Sequence, residues 1–361
     1  MWATLLTNRL VLRRADRRSR PARRPRLSVL VPARNEQAHL PRLLASLWAQ
    51  DYPDFEVVVY DDGSTDATPE ILAADRDPRL VRLRGDGPPP GWVGKCHALY
   101  QATRHASGEA FLFLDADVEL RHAGALQALV ERFEALPAPS VLTGFPYYGD
   151  SGGLLMVPLV VDVLLIGLPW ALVPHVRLRA LAALNGQLWM IRAADYRAHE
   201  PHLVHRAEVL EDVEIGRTLK QAEVVPHLAA LHPDVAVRMY ASTAEAWAGF
   251  SKNAYLLLGG TPARFAAGWT VYTALFVATP LALPWAMASV TGLKLVADTS
   301  AGLSPLLSLA AWPSYAAGSA VSVASARAFV RGTVTWKGRN VHASASAGQG
   351  VEPGDVRPPL T

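Results

Sequence analysis

The amino-acid sequence predicts an α/β fold with a parallel, doubly wound sheet, followed by apolar helices. The first observation is that short apolar runs alternate with helical patterns in the amino-terminal part, as in strand–helix–strand units. The second is that several of these runs end in acidic loops, and open α/β sheets bind ligands at the carboxyl ends of their strands. The third is a set of long uncharged stretches in the last third of the chain, which predicts contact with a membrane.

The first two strands are predicted at 27–31 and 55–60, which are short apolar runs. The helix between them is predicted from leucines that share one helical face, Leu40, Leu43, Leu44 and Leu47. The second strand ends in the acidic turn 61–66. There Gly63 permits a tight turn, and the polar residues after it can cap the next helix.

The third strand is predicted at 80–83, and the Gly/Pro-rich loop 85–91 then leads into a helix that contains Lys95. The fourth strand, 110–114, is a continuous apolar run of the kind found in a buried central strand. The remaining elements are predicted as a helix at 121–135, strands at 140–144, 187–191 and 235–239, and helices at 211–221 and 243–258.

Two carboxylates follow the fourth strand directly, at Asp115 and Asp117. Alternate residues of an extended chain point the same way, so both side chains could reach one divalent cation. Mg²⁺ or Mn²⁺ takes oxygen ligands and commonly bridges such a site to substrate phosphates. The alternative interpretation is a solvated acidic loop after a strand.

Composition points to a membrane and a reducing compartment. Hydrophobic residues make up 50% of the 361 residues, and charged residues 19%. Residues 1–26 contain nine arginines and one aspartate, which predicts a basic membrane-proximal arm that binds an anionic lipid surface in preference to nucleic acid. The single cysteine, Cys96, excludes an internal disulfide.

The segment 153–174 is apolar, and Asp162 is its one charged residue. Its length approaches that of a membrane span, but Asp162 and three prolines favour a segment that lies in the interface or re-enters. The alternative is a buried helix of the catalytic domain.

Two further stretches, 266–293 and 299–326, are each long enough to span a bilayer. We expect a transmembrane hairpin whose short connection is marked by Lys294 and Asp298. Basic residues flank the hairpin on both sides, which predicts that the catalytic domain faces the cytoplasm of a cell membrane. The tail 327–361 is expected to be cytoplasmic and partly disordered.

The strand-end motifs together resemble the inverting family 2 nucleotide-sugar glycosyltransferases, which have the GT-A fold. The matching pieces are Val-Pro-Ala-Arg-Asn-Glu at 31–36, Asp-Asp-Gly-Ser-Thr-Asp at 61–66, Asp-Ala-Asp at 115–117 and Glu-Asp at 211–212. This resemblance covers residues 27–265. A narrower resemblance, to membrane-bound glycosyltransferases of carotenoids and related lipids, rests on the segments 91–98, 185–187, 238–240, 249–253 and 336–339.

The resemblance implies a nucleotide-sugar donor, a divalent metal and a lipophilic acceptor, with UDP-glucose and a carotenoid as the expected pair. Asp117 and Asp115 are expected to hold the metal. A carboxylate at Asp61 or Asp62 suits the N3–H of uracil, although guanine also offers an N–H edge. The expected donor-site residues are Pro32, Arg34, Asn35, Glu36, Asp61, Asp62, Lys95, Asp115, Arg238 and Lys252.

Asp212, beside Glu211, is implied by the resemblance to be the base that deprotonates the acceptor. Both residues open a predicted helix, and the helix dipole would favour the ionised form there and lower the pKa of Asp212. A purely helix-stabilising role is the alternative. The chain lacks the Arg-Trp pair of processive relatives, which argues for transfer of a single sugar. A polyprenyl phosphate acceptor, or an inert membrane scaffold, remain the competing interpretations.

Overall fold

The computed structural model describes residues 1–15, 23–336 and 339–340. Within these, a seven-stranded sheet has the strand order β3-β2-β1-β4-β7-β6-β8. The strands are β1 (Leu27–Ala33), β2 (Phe55–Asp62), β3 (Leu80–Gly85), β4 (Ala110–Leu114), β5 (Val118–Leu120), β6 (Ser140–Phe145), β7 (Leu188–Arg192), β8 (Val225–Ala230), β9 (Val235–Val237), β10 (Thr335–Trp336) and β11 (Arg339–Asn340).

Helices cover both faces of the sheet and form an apolar group after it. They are α1 (Trp2–Ala15), α2 (Leu40–Trp48), α3 (Thr68–Ala74), α4 (Gly94–His105), α5 (Ala125–Glu134), α6 (Leu159–Ile166), α7 (Ala193–His199), α8 (Pro201–Val204), α9 (Glu211–Gln221), α10 (Thr243–Ser251), α11 (Ala254–Leu257), α12 (Pro262–Thr273), α13 (Thr279–Ala282), α14 (Pro284–Ser300) and α15 (Ala311–Val330). A π-helical turn, Ala274–Ala278, joins α12 to α13.

The predicted α/β core is confirmed, because every residue of β4 is buried, as is the leucine face of α2. The prediction of an all-parallel sheet is wrong in one respect. Strand β7 runs antiparallel to both of its neighbours, β4 and β6. The long excursion between β6 and β7 brings the chain back into the sheet from the opposite end, so the sheet is mixed.

Strands β8 and β9 are among those that differ from the sequence prediction. Strand β9 ends at Val237 and pairs with β5 outside the main sheet. Strand β8 was not predicted, because Pro226 lies inside it and proline is rare within strands. It is tolerated here because β8 is the edge strand of the sheet.

The predicted transmembrane hairpin is not confirmed, and its proposed connection is wrong. Lys294 and Asp298 lie within α14 rather than between two helices. The Nζ of Lys294 is 3.0 Å from Oδ1 of Asp298, one turn away, and 3.7 Å from Oδ2 of Asp162 on α6. Among the described residues, one helical run, Pro262–Ala282, is long and apolar enough to cross a membrane.

The apolar segment 153–174 contains the eight-residue helix α6 and a 3₁₀ turn at Trp170–Leu172. Asp162 is buried on the face that meets Lys294. Its interfacial location stays a prediction. Residues 16–22 of the predicted basic arm and most of the predicted tail lie outside the described residues.

Candidate active site

The loops after β1 and β2 form one hydrogen-bonded unit at the carboxyl edge of the sheet. The guanidinium of Arg34 donates to the carbonyl of Asp62 at 2.6 Å. The amide of Asn35 donates to Oγ of Ser64 at 2.9 Å, and the amide of Thr65 donates to Oδ1 of Asn35 at 2.9 Å. Asn35 adopts a positive φ of 53°, a conformation that asparagine tolerates better than most residues. This geometry joins the loop at 32–36 to the acidic turn at 61–66.

Both acidic residues at the end of β2 are buried. Oδ1 of Asp61 accepts the amide hydrogen of Ser64 at 2.9 Å and so closes the turn. Its Oδ2 lies 3.6 Å from Nε of Arg84. The amide of Glu36 donates to Oγ1 of Thr68 at 2.8 Å. One oxygen of Asp61 is therefore occupied by the turn, while the predicted nucleoside contacts of this unit remain predictions.

Asp115 and Asp117 follow β4 as expected, but their surroundings differ. Oδ1 of Asp115 forms an ion pair with Nζ of Lys95 at 2.6 Å. Oδ1 of Asp117 is buried and has no hydrogen-bond partner among the described residues. Burial, together with the nearby carboxylates of Asp115 and Glu36, raises the pKa of Asp117 to about 7.

A buried carboxylate oxygen without a partner, beside a second carboxylate, fits a divalent cation. Among the described residues, no three or more His, Cys, Asp or Glu side chains are grouped so that they could hold a metal ion by themselves. The two aspartates would thus leave coordination positions for water and the donor diphosphate, as is usual for Mg²⁺ sites.

Lys95 lies in the first turn of α4, and its ammonium group contacts three elements. It pairs with Asp115, lies 3.5 Å from Oε1 of Glu211 and donates to the carbonyl of Gly186 at 3.1 Å. The sequence places Lys95 among the expected donor-site residues. The structure places it among the carboxylates, where it compensates their charge.

Glu211 and Asp212 form the first turn of α9, as predicted. Oδ2 of Asp212 accepts the amide hydrogen of Gly186 at 2.9 Å, and Oδ1 accepts that of Val213 at 2.8 Å. The expected lowering of the pKa of Asp212 is wrong, because burial raises it despite the nearby ammonium of Lys95. Burial likewise raises the pKa of Glu211 to about 7.

Gly186 is a site residue to which sequence reasoning gave no role. Its peptide group joins Lys95, which donates to its carbonyl, to Asp212, which accepts from its amide. The adjacent side chains are fixed by Tyr148, which is fully buried and whose hydroxyl donates to Oε1 of Gln187 at 2.6 Å. The sequence signal for Gly186 is the Asn-Gly-Gln segment at 185–187. It is one of the segments that resemble the glycosyltransferases of carotenoids and related lipids.

The three remaining predicted residues differ in position. The backbone amide of Arg238 donates to the carbonyl of Asp117 at 3.2 Å, which places this arginine beside the aspartate pair. Lys252 follows the last turn of α10, and its contact with the diphosphate stays a prediction. Pro32 lies within β1, opposite Tyr60 of β2.

Comparison with known proteins identifies this carboxyl edge. Residues 28–188 match the family model described as Glycosyl transferase family 2. The chain contains a family 2 glycosyltransferase domain. The matched range includes the loops after β1, β2 and β4, with both aspartates of the Asp-Ala-Asp segment, and Asp212 lies beyond it.

Two curated relatives of this family 2 domain have the same name. The chain is 33% identical over 144 residues to a 4,4'-diaponeurosporenoate glycosyltransferase of Staphylococcus haemolyticus, which covers 40% of this chain and 38% of that protein. It is 34% identical over 122 residues to the protein of that name from Staphylococcus aureus, covering 34% and 32% of the two chains. The matched region thus spans well under half of the relatives' length.

The fold is shared with a solved mannosyltransferase from Pyrobaculum calidifontis, in complex with GDP-Man and Mn²⁺. The TM-score is 0.58 at 21% sequence identity, over 91% of this chain and 95% of the other. At this identity the likeness shows the fold alone.

Proposed function

We propose that the protein is a metal-dependent inverting glycosyltransferase that moves one sugar from a nucleotide sugar to a lipophilic acceptor. The observation that supports it best is the convergence of Asp115, Asp117, Glu211 and Asp212 around Lys95 and Gly186, within or next to a family 2 domain. The names of the curated relatives favour a carotenoid acceptor. UDP-glucose is the donor we expect.

Asp117 and Asp115 would hold Mg²⁺ or Mn²⁺. When bound, the metal neutralises charge on the departing nucleoside diphosphate. Lys95 supplies a positive charge next to the same aspartates, and we propose that Arg238 adds another beside the diphosphate. The unit formed by the loops after β1 and β2 would bind the nucleoside.

Asp212 would accept the proton of the acceptor hydroxyl. The acceptor oxygen then forms a bond to C1 of the sugar from the face opposite the diphosphate, and the bond between C1 and the diphosphate oxygen breaks. The electron pair of that bond leaves with the nucleoside diphosphate, so the anomeric configuration inverts. Gly186 orients Asp212 through its amide, which leaves the carboxylate fixed before the acceptor arrives.

Exposed apolar residues of the helical part support a membrane location. They include Leu275 and Leu281 in the 21-residue run Pro262–Ala282. We propose that the protein acts at the cell membrane with its catalytic domain in the cytoplasm. A reporter fused after Arg264 should report a cytoplasmic location, and a periplasmic reading would refute the orientation.

The test of the activity is a donor screen with detergent-purified protein and Mn²⁺. We expect release of UDP from UDP-glucose and a glycosylated lipid in the organic extract when a hydroxylated or carboxylated carotenoid is present. Asp117→Asn should lose both signals, whereas Glu70→Gln, on the exposed side of α3, should retain them.

Three outcomes would change the proposal. Transfer to a polyprenyl phosphate but not to a carotenoid would correct the acceptor. Full activity in excess EDTA would show that the reaction does not require a metal. If the protein unfolds cooperatively, and so is folded, but releases no nucleotide from any donor, the remaining interpretation is an inert membrane scaffold.

A further inference from the structure

Exposed large apolar side chains are unevenly distributed over the described residues. Among the described residues between 11 and 162, which include most strands of the catalytic sheet, no large apolar side chain is exposed. Apart from Val204, all those found in the described part of the chain lie in residues 1–10, in the segment 163–178 or after residue 246. A soluble protein scatters such residues singly over its surface. Here they are segregated, and α1 contributes although it lies far away in sequence from the apolar helices.

Helix α1 has apolar residues both on its buried face and on its exposed side. Its inner face buries Leu5 and Leu12, which are 0% and 4% exposed. Its outer face presents Trp2, Leu6 and Leu10, which follow each other at intervals of four residues and are 38%, 49% and 54% exposed. A helix in contact with water normally has charged or polar residues on its outer face.

The position of α1 is fixed by a buried asparagine. The side-chain amide of Asn8 donates to the carbonyls of Leu165 and Leu168 at 2.9 and 2.7 Å, and its Oδ1 accepts the amide hydrogen of Trp170 at 2.8 Å. These bonds attach α1 to the end of α6. The inner face of α1 thus packs against the protein, and the outer face is exposed and can contact a partner outside the chain.

The outer face of α1 adjoins exposed apolar residues of α14. Nε1 of Trp2 donates to Oγ of Ser289 at 2.9 Å, and a methyl group at Gly292 would be 3.1 Å from the Trp2 ring. Trp285 is one turn before Ser289 and is 68% exposed. It follows directly on Pro262–Ala282, the candidate membrane span. The outer face therefore continues into the surface that we propose to be in lipid.

Charge identifies the kind of lipid. Residues 1–15 contain no acidic residue and include Arg9, Arg13 and Arg14, and six further arginines follow by residue 26. An apolar outer face followed by arginines is typical of a helix at the surface of an anionic bilayer. With 14 residues, α1 is about 21 Å long, too short to cross a hydrocarbon core of about 30 Å.

We propose that α1 lies flat in the boundary between headgroups and acyl chains of an anionic bilayer, with Trp2, Leu6 and Leu10 inserted. It is a folded anchor docked on α6, in place of the flexible basic tether that composition alone suggests. This inference rests on the proposed membrane location and adds a defined contact surface to it. It does not depend on the reaction or on the acceptor.

The test is depth-dependent quenching with the full-length protein in vesicles of phosphatidylglycerol and phosphatidylcholine. Leu6→Cys receives an environment-sensitive fluorophore, and Ala73→Cys, at an exposed position on α3, is the matched control. The native Cys96 is fully buried and its burial raises the pKa of its thiol, so labelled wild-type protein provides the background. We expect nitroxides near the headgroups to quench the label at position 6 several-fold more than the label at position 73.

Equal accessibility of both labels to aqueous iodide would overturn the proposal. A second variant tests the same surface without a label. Leu6→Asp combined with Leu10→Asp changes two exposed residues, so an aqueous α1 would tolerate it. We expect this variant to lose most of its transfer to a bilayer-embedded acceptor while it still releases UDP from the donor. Unchanged transfer would contradict the inference, whereas absence of UDP release in the wild type would instead count against the proposed function.

Discussion

Gly186 holds Asp212 through a hydrogen bond of 2.9 Å from its amide to Oδ2. A Cβ atom at position 186 would lie 2.9 Å from the same oxygen and 3.2 Å from Cγ of Asp212, closer than side chains normally approach. The φ of Gly186 is not in the left-handed region, so the requirement for glycine here is one of space next to the carboxylate.

We therefore expect Gly186→Ala to displace Asp212. A displacement of about 1 Å can cost on the order of 100-fold in rate, so kcat should fall by about that factor with little change in donor KM. Steady-state UDP release measures both constants. A similar fall caused by Gly124→Ala, before α5, where the added methyl would meet nothing closer than 3.6 Å, would show that the effect is not local.

Substitution of Asp212 distinguishes two possible roles of this residue, a catalytic base and a residue that only stabilises the start of α9. Asp212→Asn keeps an oxygen that can accept from Gly186 but removes the basicity. General bases typically contribute 10²–10⁴-fold, so kcat should fall by about that much while thermal stability changes little. Near-normal turnover of Asp212→Asn, with loss confined to Asp212→Ala, would instead assign it to the helix.

The raised pKa of Asp117 makes metal binding and stability depend on pH. Between about pH 4 and 7 the folded protein retains a proton that the unfolded chain has lost, so the metal-free protein should lose stability as pH rises through this window. A cation requires the ionised carboxylate. Mn²⁺ should therefore raise Tm more at pH 8 than at pH 6, measured by differential scanning fluorimetry, and Asp117→Asn should largely remove the difference. An equal Mn²⁺ effect at both pH values would refute this assignment.

Asn8→Ala should loosen the docking of α1. It leaves two carbonyls and one amide of the segment 165–170 without their partner, and unsatisfied buried groups cost roughly 1–3 kcal/mol each. The free energy of unfolding in detergent should therefore fall by at least the cost of one such group, roughly 1–3 kcal/mol. Thr7→Ala, on the exposed side of the same helix, should change it by well under 1 kcal/mol.

Lys294 is buried between two carboxylates, so its removal should be more damaging than removal of one acid. Lys294→Met would leave Asp162 and Asp298 buried without a cation. Loss of one partner of a buried ion pair typically costs roughly 3–5 kcal/mol. Asp162→Asn should cost less, because Lys294 retains Asp298 at 3.0 Å. Chemical unfolding of both variants compares them, and the reverse order of stability would contradict this account.

Local pattern predicted the core and the strand ends well. Strand β4 and helix α9 have their predicted bounds, because a continuous apolar run and an acidic helix start are signals within a few residues. The direction of β7 depends on the path of the preceding excursion, which no local pattern encodes. The same holds for Lys95, whose partners Asp115 and Glu211 come from two distant elements.

The charges of α14 show the limit of hydropathy. Lys294 and Asp298 interrupt the apolar sequence, and hydropathy alone therefore predicts a connection between two helices there. They are four residues apart and pair on one helical turn, with Asp162 as an additional partner from α6. Hydropathy does not show that these charges pair within a helix, and the partner from α6 is visible only in the tertiary structure.

The docking of α1 also has a consequence for the order of synthesis. Asn8 binds the carbonyl of a residue 157 positions later, and Trp2 bonds to one 287 positions later. While the ribosome makes the intervening catalytic sheet, α1 has neither of these partners. Both of its apolar faces are then uncovered, and a nearby bilayer is a place where they can be shielded from water before translation ends. With the membrane location that we propose, the nascent chain would reach the bilayer through α1 before its glycosyltransferase domain is complete.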